Sequence, residues 1–217
     1  AQLGQKVAIV EREFLGGVCL NIGCIPTKSL LRNAELANIL TGESKDFGFS
    51  FENLKLDYSV AQKRSRQVSD RLVKGIGFLM RKNKVDVYQG TATLKSATQL
   101  EVKATADAPQ VNGQKYDGLI NAKAIILATG HHPRSFPNMQ PDGKRVITYR
   151  EALFLTEAPK RIVVVGAGAI GMEFAYVFRS YGAEVTVIEM LPHVLPLEDE
   201  ETAAEVAKSF KKMGIKA

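Results

Sequence analysis

The stretch "RIVVVGAGAIGMEFAYVFRSYGAEVTVIE", residues 161–189, decides the fold class. An apolar, β-branched run predicts a strand over residues 161–165, and a second such run ends at Glu189. Between them lie a glycine-rich loop and a segment with the periodicity of a helix. This order is typical of the βαβ unit of an α/β fold that binds a dinucleotide.

The glycine loop has the spacing Gly166-x-Gly168-x-x-Gly171. The first glycine permits a tight turn, the second lets a pyrophosphate approach the backbone, and the third allows close helix–strand packing. The N-terminus of the helix that follows the loop has unpaired N–H groups, and these attract phosphate. We therefore expect residues 166–171 to hold the phosphates of a dinucleotide.

The helix after this loop is expected to bury one apolar face. The apolar residues of this face recur at intervals of four, three and four residues, as helical packing requires. They are Ile170, Phe174, Val177 and Tyr181.

Glu189 follows the last glycine of the loop by 18 residues. Its carboxylate can accept hydrogen bonds from the 2′- and 3′-hydroxyls of a ribose and would repel a 2′-phosphate. Met190 and Leu191 come next, with no arginine to bind such a phosphate, so NAD is favoured over NADP. The alternative is a solvated charge at the end of a strand.

A partial second copy of this unit opens the chain. "LGQKVAIVE", residues 3–11, aligns with "YGAEVTVIE", residues 181–189, which makes Glu11 the counterpart of Glu189. The same spacing would place the first glycine of this copy about 13 residues before Ala1. We therefore expect two Rossmann-like dinucleotide-binding domains, both incomplete in this sequence.

The remaining segments predict helices and strands in alternation. Helices are expected at Lys28–Leu40 and Asp57–Asn83, and an acidic-started helix is expected near the end, followed by Gly214 and a starting strand. Strands are expected from residues 85–94, 99–105, 115–121 and 122–130. The Pro/Gly/Asn-rich segment 131–150 is the expected domain boundary, which divides the chain into residues 1–147 and 148–217.

Composition narrows the class of protein. The 217 residues carry a net charge of +6, which lies within the ordinary range for a domain and gives little support to a nucleic-acid partner. The sequence contains neither an apolar run of about 20 residues nor a signal-peptide pattern, so we expect no membrane association and a cytoplasmic location.

The chain has two cysteines, both in "GGVCLNIGCIPTK", residues 16–28. A structural disulfide would close a loop of only six residues, worth about 2 kcal/mol in the chain-entropy model. Zinc needs about four ligands, and the three histidines lie far away in sequence, which disfavours a metal site. The redox alternative fits better, because Cys24 precedes an expected helix N-terminus that stabilises a thiolate, and Lys28 adds a positive charge one turn later.

This cysteine segment resembles the redox-disulfide motif of the class I pyridine nucleotide–disulfide oxidoreductases. The resemblance extends in order through Glu11, the cysteine motif, "ILATG" and "VVVGAGAIGMEFA". Within that family, "GVCLN", "GCIPTK" and "VIEMLPHVLP" are most similar to the members that oxidise dihydrolipoamide.

The resemblance implies a role for each matching position. Cys19 would exchange with the dithiol, Cys24 would face the flavin, and Lys28 would pair with Glu173 near it. Residues implied to bind FAD are Glu11, Arg12, Gly16, Gly17, Val18, Cys19, Lys28, Ala92, Thr129 and Gly130. Residues implied to bind NAD are Gly166, Gly168, Ala169, Ile170, Gly171 and Glu189. His131 and His132 depart from the family pattern and are interpreted as loop residues.

The resemblance also implies partners. Dihydrolipoamide would be presented on the lipoyl domain of an acyltransferase, and a homodimer would form through a C-terminal domain that this sequence lacks. That domain would also supply a catalytic His–Glu pair. The alternatives are another member of the family, such as a mercuric or glutathione reductase, or a chain that keeps only the fold.

Overall fold

The structure, a computed structural model, describes residues 1–105 and 113–217. The chain forms two compact units, and each is assembled from two separate segments. Unit one comprises residues 1–23 and 67–134, and unit two comprises residues 24–66 and 135–217. The expected division between residues 147 and 148 stays a prediction. No helix within the described residues is long and apolar enough to cross a membrane.

Unit one contains a parallel sheet of three strands. They are β1 (Ala8–Glu11), β2 (Asp86–Gln89) and β5 (Gln114–Lys115), in the order β1-β2-β5. In the register of β1 and β2, the last residue of β1, Glu11, lies opposite Gln89. The predicted α/β class is confirmed, with parallel strands of this kind in both units.

An antiparallel sheet follows in the same unit. It contains β3 (Thr91–Ser96), β4 (Gln99–Lys103) and β6 (Gly118–Asn121), in the order β3-β4-β6. The single strand expected over residues 85–94 is therefore wrong, because the chain changes sheet at Gly90. A Cβ at Gly90 would lie 2.7 Å from the carbonyl oxygen of Lys103, so only glycine fits at this crossing.

Residues 122–130 are not a strand, contrary to the prediction. Their apolar, β-branched sequence has the composition of a central strand, but no strand within the described residues hydrogen-bonds to it. Ile126 and Leu127 are consequently exposed. A strand needs a hydrogen-bonded neighbour as well as a suitable sequence.

Four helices precede the second βαβ unit. They are α1 (Gly17–Ile22), α2 (Cys24–Asn38), α3 (Tyr58–Lys82) and the short α4 (Tyr149–Ala152), with a π-helical turn (Ile39–Glu43) after α2. Helix α2 begins four residues before the predicted Lys28. Asp57 caps α3 by accepting hydrogen bonds from the backbone N–H groups of Ser59 and Val60.

Unit two contains the βαβ unit that the glycine motif predicts. Strands β7 (Arg161–Val165) and β8 (Glu184–Ile188) pair in parallel, and α5 (Ala169–Ser180) connects them. Helix α6 (Glu200–Lys212) follows, and then Lys216 pairs with β8. Lys216 thus makes an isolated parallel bridge to Thr186, within the segment where the sequence predicts a starting strand after Gly214.

Helix α5 packs against both strands and against α2. Because it has neighbours on two sides, its buried residues form a broader surface than the single predicted face. They are Met172, Phe174, Ala175, Val177, Phe178 and Ser180.

Two members of the predicted face are not buried. Ile170 is 52% exposed, because it lies in the first turn of α5 beside the open glycine loop. Tyr181 lies just beyond the helix and is half-buried, with its ring edge-on to Tyr58 at 5.1 Å between centroids. The period of the pattern was correct, but its two end members fall outside the packed part of the helix.

Candidate functional site

The two cysteines lie at the junction of α1 and α2. Cys19 is the third residue of α1 and Cys24 is the first residue of α2. Neither is a free thiol: both are disulfide-bonded, and the chain has no third cysteine, so the disulfide joins Cys19 to Cys24. Both residues are exposed, so the disulfide is open to a reactant.

Gly23 makes the junction between the two helices possible. A Cβ at this position would lie 2.9 Å from the Cα of Cys19 and 3.0 Å from the carbonyl oxygen of Val18. Both neighbours are backbone atoms, which cannot move aside as the end of a flexible side chain can. Sequence reasoning did not single out this glycine as a packing requirement of the disulfide.

Lys28 and Glu173 form an ion pair between α2 and α5 in unit two. Lys28 lies one turn after Cys24, and Glu173 lies one turn into the helix that follows the glycine loop. The Lys28 side chain remains 61% exposed and the Glu173 side chain 25% exposed, so other groups can still reach the pair. A second contact joins these helices further along, where the Asn38 amide donates to Ser180 Oγ at 2.9 Å.

The glycine loop has the geometry that its spacing predicts. Gly166 has a positive φ of 101°, which favours glycine. A Cβ on Gly171 would lie only 2.0 Å from the carbonyl oxygen of Gly166, so α5 approaches the loop as closely as the motif requires. A Cβ on Gly168 would meet nothing within 4 Å, and this open space fits a pyrophosphate lying against the backbone.

The Glu189 carboxylate lies against this loop. Its Oε2 accepts a hydrogen bond from the backbone N–H of Ala167 at 2.7 Å. Its Oε1 accepts from the N–H groups of Met190 and Leu191 at 2.8 and 3.0 Å. The strand-end acid is thereby held beside the loop. The hydroxyl groups of a bound ribose would replace these backbone N–H groups as hydrogen-bond donors to the carboxylate.

These backbone donors hold the pKa of Glu189 below its ordinary value, with Leu191 the largest contributor, then Ala167. Because this pKa is lower in the folded protein than in the unfolded chain, the ionised carboxylate stabilises the fold at pH values above the ordinary pKa near 4.5. This stabilisation is lost as the pH falls through the lower pKa of the folded protein.

We expect a Glu189→Gln variant to be less stable than the parent at pH 5–7 and the difference to shrink below about pH 4. Urea midpoints measured across this range, with Glu157→Gln as the exposed control, test the expectation. A difference that grows towards low pH would contradict it.

The corresponding acid of unit one is Glu11, at the end of β1. Its Oε1 accepts hydrogen bonds from the N–H groups of Glu13 and Phe14 at 2.8 and 3.1 Å. Gly16 and Gly17 follow with positive φ values of 93° and 75°, and a Cβ on Gly17 would meet nothing within 4 Å. This open backbone fits a flat ligand, as the predicted FAD site requires.

Unit one also brings Val18 and Gly130 together. A Cβ on Gly130 would lie 3.7 Å from a methyl group of Val18, so the "ATG" segment passes close to the start of α1. Thr129 and Arg12 are exposed, and Ala92 lies in β3. No group of three or more His, Cys, Asp or Glu side chains within residues 1–105 and 113–217 is arranged to hold a metal ion.

Known proteins match this chain along its whole length. A family model described as pyridine nucleotide-disulphide oxidoreductase matches residues 1–217. The dihydrolipoyl dehydrogenase of Rhizobium etli is 47% identical over 224 residues, which cover 100% of this chain and 46% of that protein. The dihydrolipoyl dehydrogenase of Corynebacterium glutamicum is 46% identical and is covered over 44% of its length. The chain thus spans less than half of these relatives.

Solved structures show the same likeness. LpdA of Mycobacterium tuberculosis has a TM-score of 0.85 at 26% identity, with 98% of this chain and 45% of that chain covered. The HOCl-induced flavoprotein disulfide reductase RclA of Escherichia coli has a TM-score of 0.77 at 27% identity, with 99% and 43% covered. Both likenesses include the two units of this chain.

Proposed function

The chain belongs to the pyridine nucleotide-disulphide oxidoreductase family, and on this premise we propose that the protein oxidises dihydrolipoamide to lipoamide and reduces NAD⁺, with FAD between the two. One observation carries the proposal: Cys19 and Cys24 form an exposed disulfide at the first residue of α2. The relatives named dihydrolipoyl dehydrogenase support the substrate.

The disulfide is the group that reacts with the dithiol. A thiolate of dihydrolipoamide attacks Cys19 Sγ, and the bond to Cys24 breaks as a mixed disulfide forms. The second substrate thiol then gives up its proton to solvent water and attacks the substrate sulfur bonded to Cys19. Lipoamide is released, and both cysteines are left reduced with the electron pair that the substrate has lost.

Position favours Cys24 as the thiolate that leaves in the first step. It is the first residue of the 15-residue helix α2, whose N-terminal N–H groups and dipole stabilise a negative charge. The ammonium of Lys28 is one turn away and is oriented by Glu173. Cys19, within α1, is the sulfur that the substrate would attack.

The residues of unit one that would hold FAD are Glu11, Gly16, Gly17, Val18, Thr129 and Gly130, with Arg12 and Ala92. Those that would hold NAD are Gly166, Gly168, Ala169, Ile170, Gly171 and Glu189. FAD, when bound, supplies the two-electron chemistry that links the cysteine pair to NAD⁺. The positive φ values at Gly16 and Gly17 and the open space at Gly168 support these assignments.

The test is to add dihydrolipoamide to the purified protein without oxygen and to record the visible spectrum, then to add NAD⁺. We expect a long-wavelength absorbance band from the Cys24 thiolate against the flavin, and then formation of NADH. NADP⁺ in place of NAD⁺ is the control, and we expect it to react at least about 100-fold more slowly because Glu189 repels the 2′-phosphate. NADPH oxidation driven by glutathione disulfide or Hg²⁺ would contradict the proposal.

Three further proposals follow from family membership. The dithiol would be carried on the lipoyl domain of an acyltransferase, the protein would form a homodimer, and it would act in the cytoplasm in cell redox homeostasis. Each stays a prediction for this chain.

A further inference from the structure

Asn21 lies between the two cysteines and is only 2% exposed. A polar side chain so deeply buried must find hydrogen-bond partners in the protein. Its Nδ2 donates to the carbonyl oxygens of Gly17 at 2.9 Å and of Leu15 at 3.1 Å. The first bond lies within α1, and the second reaches back beyond the helix to the chain before it.

The two carbonyls bracket the loop that leads into α1. Gly16 lies between them, and both Gly16 and Gly17 have φ values in the left-handed region. Glycine in this region adds conformational freedom, which must be limited if the next residues are to keep one position. The Asn21 amide ties both ends of this loop to the helix that carries Cys19.

The remaining polar atom of Asn21, Oδ1, indicates that this side chain acts here as a hydrogen-bond donor. Oδ1 is buried and has no hydrogen-bond partner among the described residues. The protein partners of the Asn21 side chain within the described residues are therefore acceptors of its amide hydrogens. Aspartate has the same shape without those hydrogens and would place oxygens against two carbonyl oxygens.

We propose that Asn21 is a positioning residue for Cys19: by holding the Leu15–Gly17 loop to α1, it fixes the direction from which a thiolate can reach Cys19 Sγ. The proposal rests on the disulfide-exchange step of the proposed function. Exchange requires the attacking sulfur, Cys19 Sγ and the departing Cys24 Sγ to be aligned, so a small displacement slows the reaction. A misplacement of about 1 Å can cost on the order of 100-fold in rate.

The test compares Asn21→Asp and Asn21→Leu with a matched control, Asn38→Asp. Asn38 also donates one side-chain hydrogen bond, to Ser180, but lies at the far end of α2. The readouts are thermal unfolding, bound FAD, and the rate at which dithiothreitol reduces the protein disulfide. In the reduced protein, the rate at which iodoacetamide modifies each cysteine is measured by mass spectrometry.

We expect dithiothreitol to reduce the disulfide of both Asn21 variants roughly 10- to 100-fold more slowly than that of the parent, with FAD content unchanged. Alkylation should change at Cys19 and stay constant at Cys24, and Asn38→Asp should behave like the parent. The proposal would be overturned if dithiothreitol reduced the disulfide of folded Asn21 variants as fast as that of the parent. Loss of cooperative unfolding in both variants would overturn it as well, since the role would then be architectural.

Dithiothreitol separates this proposal from the proposed function. A parent protein whose disulfide dithiothreitol reduces, but which fails to turn over dihydrolipoamide, would contradict the substrate and leave the comparison of Asn21 variants valid. A parent whose disulfide resists every dithiol would contradict both.

Discussion

Under the proposed function, we expect a Cys24→Ser variant to lose NAD⁺ reduction by dihydrolipoamide, by at least about 1,000-fold, because no disulfide can then accept the electron pair. The chain has only two cysteines, so the variant leaves Cys19 with no second cysteine to form a disulfide. Serine is nearly the same size and Cys24 is exposed, so the fold is retained. The measurement is steady-state NADH formation with dihydrolipoamide as the donor.

Cys19→Ser is the matched control for this variant. It removes the same six-residue loop closure, worth about 2 kcal/mol in the chain-entropy model, so both variants lose equal stability. We expect both variants to lose turnover and their absorbance spectra to differ. Cys19→Ser keeps the Cys24 thiolate at the N-terminus of α2 and with it the long-wavelength band, whereas Cys24→Ser loses the band. The opposite pattern would contradict the roles assigned to the two cysteines.

The parts of the fold that the sequence predicted are those set by neighbouring residues. The βαβ unit over residues 161–189 is one, because its glycines, apolar strands and acid define each other's positions within 29 residues. Helix α3, expected over Asp57–Asn83, is another, since Asp57 caps its first turn and Arg81 and Lys82 form a basic last turn. The expected contact of Lys28 with Glu173 needed the family resemblance, because 145 residues separate the pair.

The parts that were missed depend on distant neighbours. Residues 122–130 have a strand's composition, but pairing depends on which edge is available, and their sequence does not contain that information. The change of sheet at Gly90 depends on the backbone of Lys103 in β4. Asn21 was missed for a similar reason: a polar residue inside a redox motif gives no sign of its burial until the loop has folded over it.

We expect Gly171→Ala to lower the melting temperature by about 6–12 °C. The added Cβ would lie 2.0 Å from the carbonyl oxygen of Gly166 and 3.2 Å from a methyl group of Val164. The first neighbour is backbone, so α5 must move away from the loop to relieve the clash. Overpacking typically costs about 1–3 kcal/mol, and a clash this close with backbone belongs at the upper end, while each kcal/mol corresponds to about 2–4 °C at this chain length.

Gly168→Ala, three residues earlier, is the matched variant, for which we expect a change in ligand binding and no loss of stability. Its Cβ would meet nothing within 4 Å, and its φ of −72° suits alanine, so the melting temperature stays at or slightly above that of the parent. The same methyl group would occupy the space where the pyrophosphate of NAD approaches the backbone, so we expect the KM for NAD⁺ to rise at least about 10-fold. Calorimetry and NAD⁺ titrations of the two variants therefore separate a glycine needed for packing from one needed for the ligand. Equal stability losses in both would contradict this distinction, because they would mean that the loop tolerates no side chain at either position.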